Sequence, residues 1–352
     1  MSHSILITGA SGYLGGSLLA QLNRTKLPPH KTLYALVRSD QQAEQVQKCG
    51  AEPLKLNFAD ENTVVKIIVE ANISIIFFLI DALNSTFQLP LIKALGELKR
   101  QTGQEVHFLH TSGAKIFSEH AGMPTDRELR DDEEGLFEMQ KKVRAPHGMM
   151  NLAVQTNNTI IETAESYGVR SYIFIPCIVY GEGEGFGNRI SIQTTAVVRA
   201  AKKVGAVYDV NAKGATWPVC HIKDNTALYV KLLESILSGA NPSWGKTGYY
   251  LASSGSVAWI DIYAAIARAL AEQKVVSSSE VKQADNAALN DIALALGCPK
   301  ALVPVQVGGK CTLKAERARE VGWSAEYPPE HIVEAADAEV TLILQHLNSD
   351  LY

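Results

Sequence analysis

The sequence has little of what marks several large classes of protein. Five cysteines are scattered over 352 residues, with no Cys-x-x-Cys pair and no Cys/His cluster at metal-ligand spacing. We therefore expect neither a disulfide framework nor a metal site. Lysine and arginine never form a block longer than a pair, and the formal net charge is −4. An electrostatic hold on nucleic acid or on an acidic membrane surface is not expected either, which leaves a small molecule as the default partner.

Long apolar runs are also missing. The longest, at residues 73–80, is too short to span a bilayer, and the opening stretch MSHSILITG lacks the regions of a signal peptide. We therefore predict a cytoplasmic protein without a membrane partner. Hydrophobic residues make up 46% of the chain and charged residues 20%, enough to bury a sizeable core. A homodimer is one of the assemblies that the sequence allows.

Short β-rich runs alternate with helical periods in the first half of the chain. Strands are predicted at residues 4–8, 32–37, 52–56, 74–80, 105–111 and 170–176, with helices near 13–23, 40–48, 61–71, 87–101 and 149–167. Nearly continuous apolar strands joined by helices are typical of a parallel sheet that is covered on both faces. The pattern predicts a doubly wound α/β fold, the Rossmann fold.

The regular alternation of strands and helices ends after residue 180. A glycine-rich stretch, GEGEGFGN, is followed by predicted helices near 188–203 and 224–238, a strand at 248–253, and helices near 258–271 and 286–296. We predict an NAD(P)-binding domain over residues 1–180 that also receives about 216–253. Residues 181–215 and 254–352 are then expected to form a smaller, C-terminal substrate-binding lobe.

The strongest motif is ILITGASGYLGGSLL, in which a strand runs directly into three spaced glycines and then a helix. The glycines permit a tight turn, close approach of the backbone to a diphosphate, and close packing of helix on strand. The free N–H groups and the dipole of the helix favour the negative charge. The turn predicts a dinucleotide site at Gly9, Ser11, Gly12, Tyr13, Leu14 and Gly15.

The end of the second strand indicates which dinucleotide is bound. Arg38 stands where an acidic residue would otherwise accept hydrogen bonds from a ribose 2′-hydroxyl, and a guanidinium there suits a 2′-phosphate. This favours NADP(H), although Asp40 keeps NAD(H) open. Asn57 follows the third strand, where its amide is placed to bond the adenine edge. Phe58 and Leu79 complete the predicted surroundings of this half of the cofactor.

Four motifs stand in one order: the glycine turn, RSYIFIPCIVYGEG, WPVCHIKDNTALY and LKAERAREVGWSAEYP. Over about residues 5–325 the chain resembles the extended short-chain dehydrogenase/reductases, the NAD-dependent epimerase/dehydratase family. The resemblance implies that Pro176, Ile178 and Val179 lie along the nicotinamide ribose, with Ile175 where the family usually has arginine.

The family's catalytic groups are a Ser/Thr after the fifth strand and a Tyr-x-x-x-Lys on the next long helix. In HTSGAKIF, Thr111 and Ser112 match the first two positions of the family's pattern, but Gly113 stands at the catalytic hydroxyl. Counting back from the end of the helix puts the tyrosine on Met149 and the lysine on Ala153. No Tyr-x-x-x-Lys occurs anywhere in the chain, so catalysis requires a non-standard proton donor.

Several polar residues are candidates to replace the missing groups. Thr111, Ser112 and His147 are the proposed catalytic residues, although strand-end hydroxyls often only cap the backbone and lone histidines are seldom catalytic. Lys115, Asn188 and Arg189 are candidate substrate contacts. The charged segment 118–146 is predicted to be either a lid over the cleft or a solvated helix-turn excursion.

Two classes of function follow from these features. The first is an enzyme that uses NADP(H) for reduction, epimerisation or dehydration of a carbonyl or sugar-like small molecule. The second is a non-enzymatic NADP(H)-binding sensor or scaffold, since loss of the proton-transfer pair with retention of the glycine turn is what such a protein would show. A redox-neutral isomerase or cyclase on the same fold is a third alternative.

Overall fold

The computed structural model describes residues 2–348. Its strands are β1 (Ser4–Ile7), β2 (Leu33–Leu36), β3 (Glu52–Leu54), β4 (Ile73–Phe78), β5 (His107–Thr111), β6 (Leu129–Arg130), β7 (Arg170–Pro176), β8 (Ile178–Tyr180), β9 (Tyr208–Asp209), β10 (Thr216–His221), β11 (Tyr249–Ala252), β12 (Gly255–Ala258), β13 (Lys282–Gln283) and β14 (Leu313–Lys314). Its α-helices are α1 (Tyr13–Leu22), α2 (Asp40–Lys48), α3 (Glu61–Glu70), α4 (Gln88–Thr102), α5 (Leu136–Lys142), α6 (Gly148–Ser166), α7 (Gln193–Val204), α8 (Ile222–Leu237), α9 (Trp259–Glu272), α10 (Asn286–Leu296), α11 (Val303–Val307), α12 (His331–Glu334) and α13 (Ala336–Asn348).

Seven strands form one fully parallel sheet in the order β11-β7-β5-β4-β1-β2-β3. Every residue of β1 and β4 is buried, as expected for strands that helices cover on both faces. The helices α1 and α8 pack together in one layer, and α3, α4 and α6 pack in sequence in another. The predicted doubly wound α/β fold is confirmed, and each predicted strand and helix is present with small shifts at its ends.

The strand order reverses between β1 and β4. The chain leaves β1 outward through β2 and β3, then crosses back to β4 and continues outward on the other side through β5 and β7. In doubly wound sheets this reversal opens a crevice at the carboxyl ends of the two central strands, which is where ligands bind. The fold therefore places the glycine turn after β1 beside the segments that follow β4 and β5.

A second, three-stranded sheet in the order β12-β10-β8 lies next to the main one. One residue, Cys177, separates β7 from β8, which pairs in parallel with β10; β10 in turn pairs antiparallel with β12. Helices α7, α9, α10 and α13 pack around one another after it. The segment 216–253 supplies α8 and β11 to the main layers, while the exact domain boundaries stay a prediction.

The charged segment 118–146 is anchored to the protein at several points. Its strand β6 pairs with β14 near the C-terminus, and α5 packs on α6. The carboxylate of Asp131 accepts hydrogen bonds from the backbone N–H groups of Leu251 (2.9 Å), Glu316 (2.8 Å) and Arg317 (2.9 Å). Burial raises the pKa of Asp131 to about 6. These contacts tie the segment to both the main sheet and the C-terminal lobe.

Between residues 2 and 348, no single helix is both long enough and apolar enough to span a membrane. Taken together, Asn286–Leu296 and Lys300–Val307 meet the criteria of length and composition, but they are bent by 89°.

Candidate functional site

The glycine turn forms a cradle that larger residues would fill. Gly9 has a left-handed φ of 69°, and a Cβ on Gly15 would overlap the carbonyl of Gly9. The helix α1 begins at Tyr13, and Gly12 before it offers no side-chain cap to the first N–H groups. Unsatisfied N–H groups at a helix N-terminus attract anions. The geometry therefore suits the diphosphate of a dinucleotide.

The loop of residues 181–189 lies directly on this turn. The N–H of Asn188 donates to the carbonyl of Ser11 at 2.9 Å, and a Cβ on Gly187 would overlap the same oxygen. Arg189 is turned into its own loop, where its Nε donates to the carbonyl of Gly183 (2.8 Å) and its guanidinium pairs with Glu182 (2.9 Å). The glycines of GEGEGFGN thus permit close packing on the phosphate turn, and the substrate roles of Asn188 and Arg189 stay predictions.

The predicted 2′-phosphate site lies at the end of β2. Arg38 is exposed, and its guanidinium has no hydrogen bond or ion pair with the residues that the structure describes. Asp40 pairs with Lys55 at 2.8 Å, and the hydrogen bond from Lys55 lowers the pKa of Asp40. One oxygen of the exposed carboxylate that kept NAD(H) open is therefore paired with Lys55, whereas the guanidinium that suits a phosphate has no partner among the described residues.

The residues predicted to contact the adenine half of the cofactor lie near exposed apolar side chains. The ring of Phe58 lies 4.9 Å from that of Phe87, and Ile80 and Phe87 are exposed. Asn57 accepts a hydrogen bond from the N–H of Ala59 at 3.2 Å, which leaves its amide NH₂ for other partners. Leu79 follows β4 and its N–H donates to Thr8 at 2.9 Å.

A cavity of about 380 Å³ opens beside the phosphate turn. Tyr13 and Leu14 line it on the side of the phosphate turn. The segments after β4 and β5, the end of β7 with β8, the start of α6, the start of α7 and α11 supply the rest of its wall. Pro176 and Val179 lie in this wall. Ile178, fully buried on β8, points away from it. The cavity is thus continuous from the cofactor turn to the C-terminal lobe.

Two polar side chains after β5 face this cavity. The hydroxyl of Ser112 is buried and has no hydrogen-bond partner. Lys115 stands on the 3₁₀ turn Ala114–Phe117, and its ammonium has no ion pair with a described residue. Burial without an opposite charge disfavours the charged amine and lowers the pKa of Lys115 to about 8. Both residues therefore line the cavity with a polar group that has no partner among the described residues.

The other titratable groups of the cavity wall are engaged. The hydroxyl of Tyr13 donates to the carbonyl of Gly181 at 2.6 Å, and burial raises the pKa of Tyr13 far above its usual value. The thiol of Cys177 donates to the carbonyl of Ala252 at 3.0 Å, and burial likewise raises the pKa of Cys177. Among the described residues of this wall, Lys115 is the titratable group whose pKa lies near neutrality.

The positions of the family's tyrosine and lysine lie in the same wall. Met149 and Ala153 are one helical turn apart at the start of α6, and both line the cavity. Neither side chain transfers protons. The start of α6 is fixed by Asn151, whose Oδ1 accepts from the N–H of Ala145 at 2.8 Å and whose amide donates back to the carbonyl of Ala145 at 3.2 Å.

The structure does not bring Thr111 and His147 to the cavity wall. Successive residues of a strand point to opposite faces, so Thr111 faces α8, where its hydroxyl bonds that of Tyr229 at 2.7 Å. His147 precedes α6 as its N-cap residue, partly buried, without a cap hydrogen bond. Of the three proposed catalytic residues, only Ser112 is placed to meet a ligand in this cavity.

Part of the wall comes from residues that the sequence analysis did not single out. Ile192, before α7, and Val305 and Gln306, on α11, line the same cavity as Ser112 and Lys115. They lie far from β5 along the chain, and no local pattern marks them. Among residues 2–348, no group of three His, Cys, Asp or Glu side chains is arranged to hold a metal ion.

The chain is similar in sequence to a known protein family. The model of the NAD dependent epimerase/dehydratase family matches residues 5–244. The oxidase ucsJ of an Acremonium species is 23% identical over 317 residues, covering 83% of this chain and 86% of that protein.

Two solved structures illustrate the similarity of fold. The UDP-glucose 4-epimerase of Bifidobacterium longum, in complex with NAD⁺ and UDP, is 13% identical with a TM-score of 0.61, covering 99% of this chain and 100% of that one. Vestitone reductase of alfalfa is 14% identical with a TM-score of 0.60, covering 98% of each chain.

Proposed function

The chain belongs to the NAD-dependent epimerase/dehydratase family, and from this premise we propose that it binds NADP(H) and reduces the carbonyl group of a small molecule with a proton donor other than tyrosine. One observation carries the proposal. The cavity that begins at the phosphate turn, at Tyr13 and Leu14, also contains the unpartnered hydroxyl of Ser112 and the unpaired ammonium of Lys115. Cofactor and proton donor would therefore meet in one space.

Named residues of the chain fit the cofactor. The free N–H groups at the start of α1 would hold the diphosphate, and Arg38 would hold the 2′-phosphate. The NAD⁺ of the Bifidobacterium longum epimerase supports a nicotinamide cofactor for this fold. The preference for NADP(H) is supported by the free guanidinium of Arg38 and by the engagement of Asp40 with Lys55.

The proton-transfer step uses two side chains. A bound reduced nicotinamide would supply a hydride to the carbonyl carbon and would itself become oxidised. The Lys115 ammonium donates one proton to the carbonyl oxygen, so that the product is an alcohol and the amine becomes neutral until it takes a proton from water. The Ser112 hydroxyl donates a hydrogen bond to the same oxygen. A pKa of Lys115 of about 8 suits this role, because general acids work best near the ambient pH.

Steady-state reduction tests the proposal. Purified protein and NADPH are incubated with a panel of small ketones and aldehydes, and nicotinamide absorbance is followed. Lys115→Met should lower kcat about 100-fold or more, the usual contribution of a general acid. Lys115→Arg should be similarly slow, because a guanidinium does not give up its proton. The matched control is Lys26→Met, since Lys26 is exposed and does not line the cavity.

The pH profile gives an independent readout. Because the acid form of Lys115 is lost as the pH rises through its pKa of about 8, kcat should be constant at lower pH and fall above that value. Lys115→Met should remove this fall while leaving the binding of NADPH unchanged. A Lys115→Met variant that retains the wild-type kcat and pH profile would contradict the assignment.

A second candidate function is a non-enzymatic NADP(H) sensor. It is favoured by Met149 and Ala153, which put apolar side chains where the family transfers protons. Calorimetry separates the two functions. Tight binding of NADPH without turnover of any carbonyl compound in the panel would support the sensor, whereas turnover that depends on Lys115 would support the reductase.

A further inference from the structure

Most of the cavity wall around Ser112 and Lys115 is apolar. Its larger apolar side chains are Leu14, Leu83, Ile116, Met149, Met150, Ile192 and Val305, and its uncharged amides are Gln193 and Gln306. Ile192 is 68% exposed at the mouth of the cavity, an unusual position for so large an apolar side chain. A ligand that covers it removes apolar surface from water, which is favourable. The apolar wall therefore favours the binding of an apolar ligand.

The cavity has too few cationic side chains to bind a nucleotide sugar. A nucleotide sugar brings a diphosphate of its own, which proteins hold with cationic side chains or with several N–H donors. Among the described residues of the cavity wall, Lys115 is the only cation. Arg189 is near the start of the predicted substrate lobe, but its guanidinium already forms an ion pair with Glu182 and a hydrogen bond to the carbonyl of Gly183.

The size of the cavity limits the ligand further. About 380 Å³ of space is bounded by the phosphate turn at one end and α11 at the other, and ligand pockets for a single drug-sized molecule start at about 300 Å³. If the nicotinamide end of the cofactor enters at Tyr13 and Leu14, as the proposed function requires, only part of this volume remains for the substrate.

We propose that the site accepts a small, uncharged and largely apolar carbonyl compound, and that it does not accept a nucleotide sugar. The inference rests on the proposed function for the position of the cofactor. Its own support is the apolar wall, the exposed Ile192 and the single cation.

Binding without turnover tests the inference. The full chain, saturated with NADP⁺, is titrated by calorimetry with acetophenone, propiophenone and butyrophenone, and separately with UDP-glucose. Each added methylene should raise the affinity about fourfold until the cavity is full, since a buried methylene contributes about 0.8 kcal/mol. UDP-glucose should neither bind measurably nor displace the ketones.

Two variants locate the effect. Ile192→Asn should weaken binding of butyrophenone about fivefold or more, because it removes most of the apolar surface that the ligand covers at the mouth. The matched control is Leu294→Asn, since Leu294 on α10 is 82% exposed and lies outside the cavity wall. Its affinity should equal that of the wild type.

Three results would overturn the inference: tighter binding of UDP-glucose than of the ketones, an affinity that does not change with the length of the ketone, or equal effects of the two variants. Failure of the proposed function is recognised separately. If NADP⁺ does not bind, that function is wrong. The ketone series on the cofactor-free protein then still decides whether the cavity selects small apolar carbonyl compounds.

Discussion

Restoring the tyrosine and lysine of the family is the sharpest perturbation of this site. Met149 and Ala153 stand four residues apart on α6 and both line the cavity, so Met149→Tyr with Ala153→Lys places a phenol and an amine in the same space. Ala153 is only 3% exposed, and its replacement must therefore extend into the cavity. The double variant should reduce carbonyl compounds faster than the wild type.

The magnitude follows from the chemistry and the burial. General acid-base assistance is worth about two to four powers of ten, or roughly 3–5 kcal/mol of barrier. Two features of the structure reduce this gain. Lys115 already supplies a proton in the proposed mechanism, and a second buried amine near it is repelled electrostatically. We therefore expect a rise in kcat of about tenfold to 100-fold, at or below the lower end of that range.

The assay is NADPH oxidation with propiophenone, accompanied by thermal unfolding and NADPH calorimetry. The control variant combines Met149→Phe with Ala153→Met, which adds similar bulk but no titratable group. A double variant that is folded, binds NADPH and reduces the ketone no faster than this control would refute the reasoning. In that case the side chains at positions 149 and 153 do not reach the reacting carbonyl group.

Three further predictions concern the rest of the molecule. Arg38→Ala should weaken NADP⁺ binding by about 1.5–3 kcal/mol, the value of hydrogen bonds to charged groups, and leave NAD⁺ binding unchanged in calorimetry; equal loss for both would show that Arg38 does not meet the 2′-phosphate. Asp131→Ala should lower the free energy of unfolding by about 3 kcal/mol or more in urea titrations, because buried backbone N–H groups lose their acceptor; a smaller effect than that of Asp132→Ala, on the partly exposed neighbour that pairs with Arg130, would contradict this. Gly187→Ala should cost about 1–3 kcal/mol of stability through overpacking and weaken NADP⁺ binding, whereas Gly205→Ala, where a Cβ meets no neighbour, should leave NADP⁺ binding unchanged.

The features that the sequence predicted correctly are all local along the chain. Apolar strands alternating with helices specify a parallel sheet covered on both faces, because a strand buried on both sides has no polar face to show. The run from β1 through Gly9, Gly12 and Gly15 specifies the phosphate turn, since a larger residue at Gly15 would overlap the backbone. The absence of Tyr-x-x-x-Lys is likewise a property of the sequence alone.

The tertiary structure decided which polar groups share the cavity. Thr111 and Ser112 are adjacent and chemically alike, yet alternation along the strand sends one hydroxyl to Tyr229 and the other to the cavity. Arg189 is bound within its own loop, and Lys115 shares its cavity with Val305 of α11, which lies far along the chain. The sequence determined the sheet and the phosphate turn because both depend on patterns of residues that are close together along the chain. Which side chains meet in the site depends on how the C-terminal lobe packs against the sheet, and only the folded chain brings those residues together.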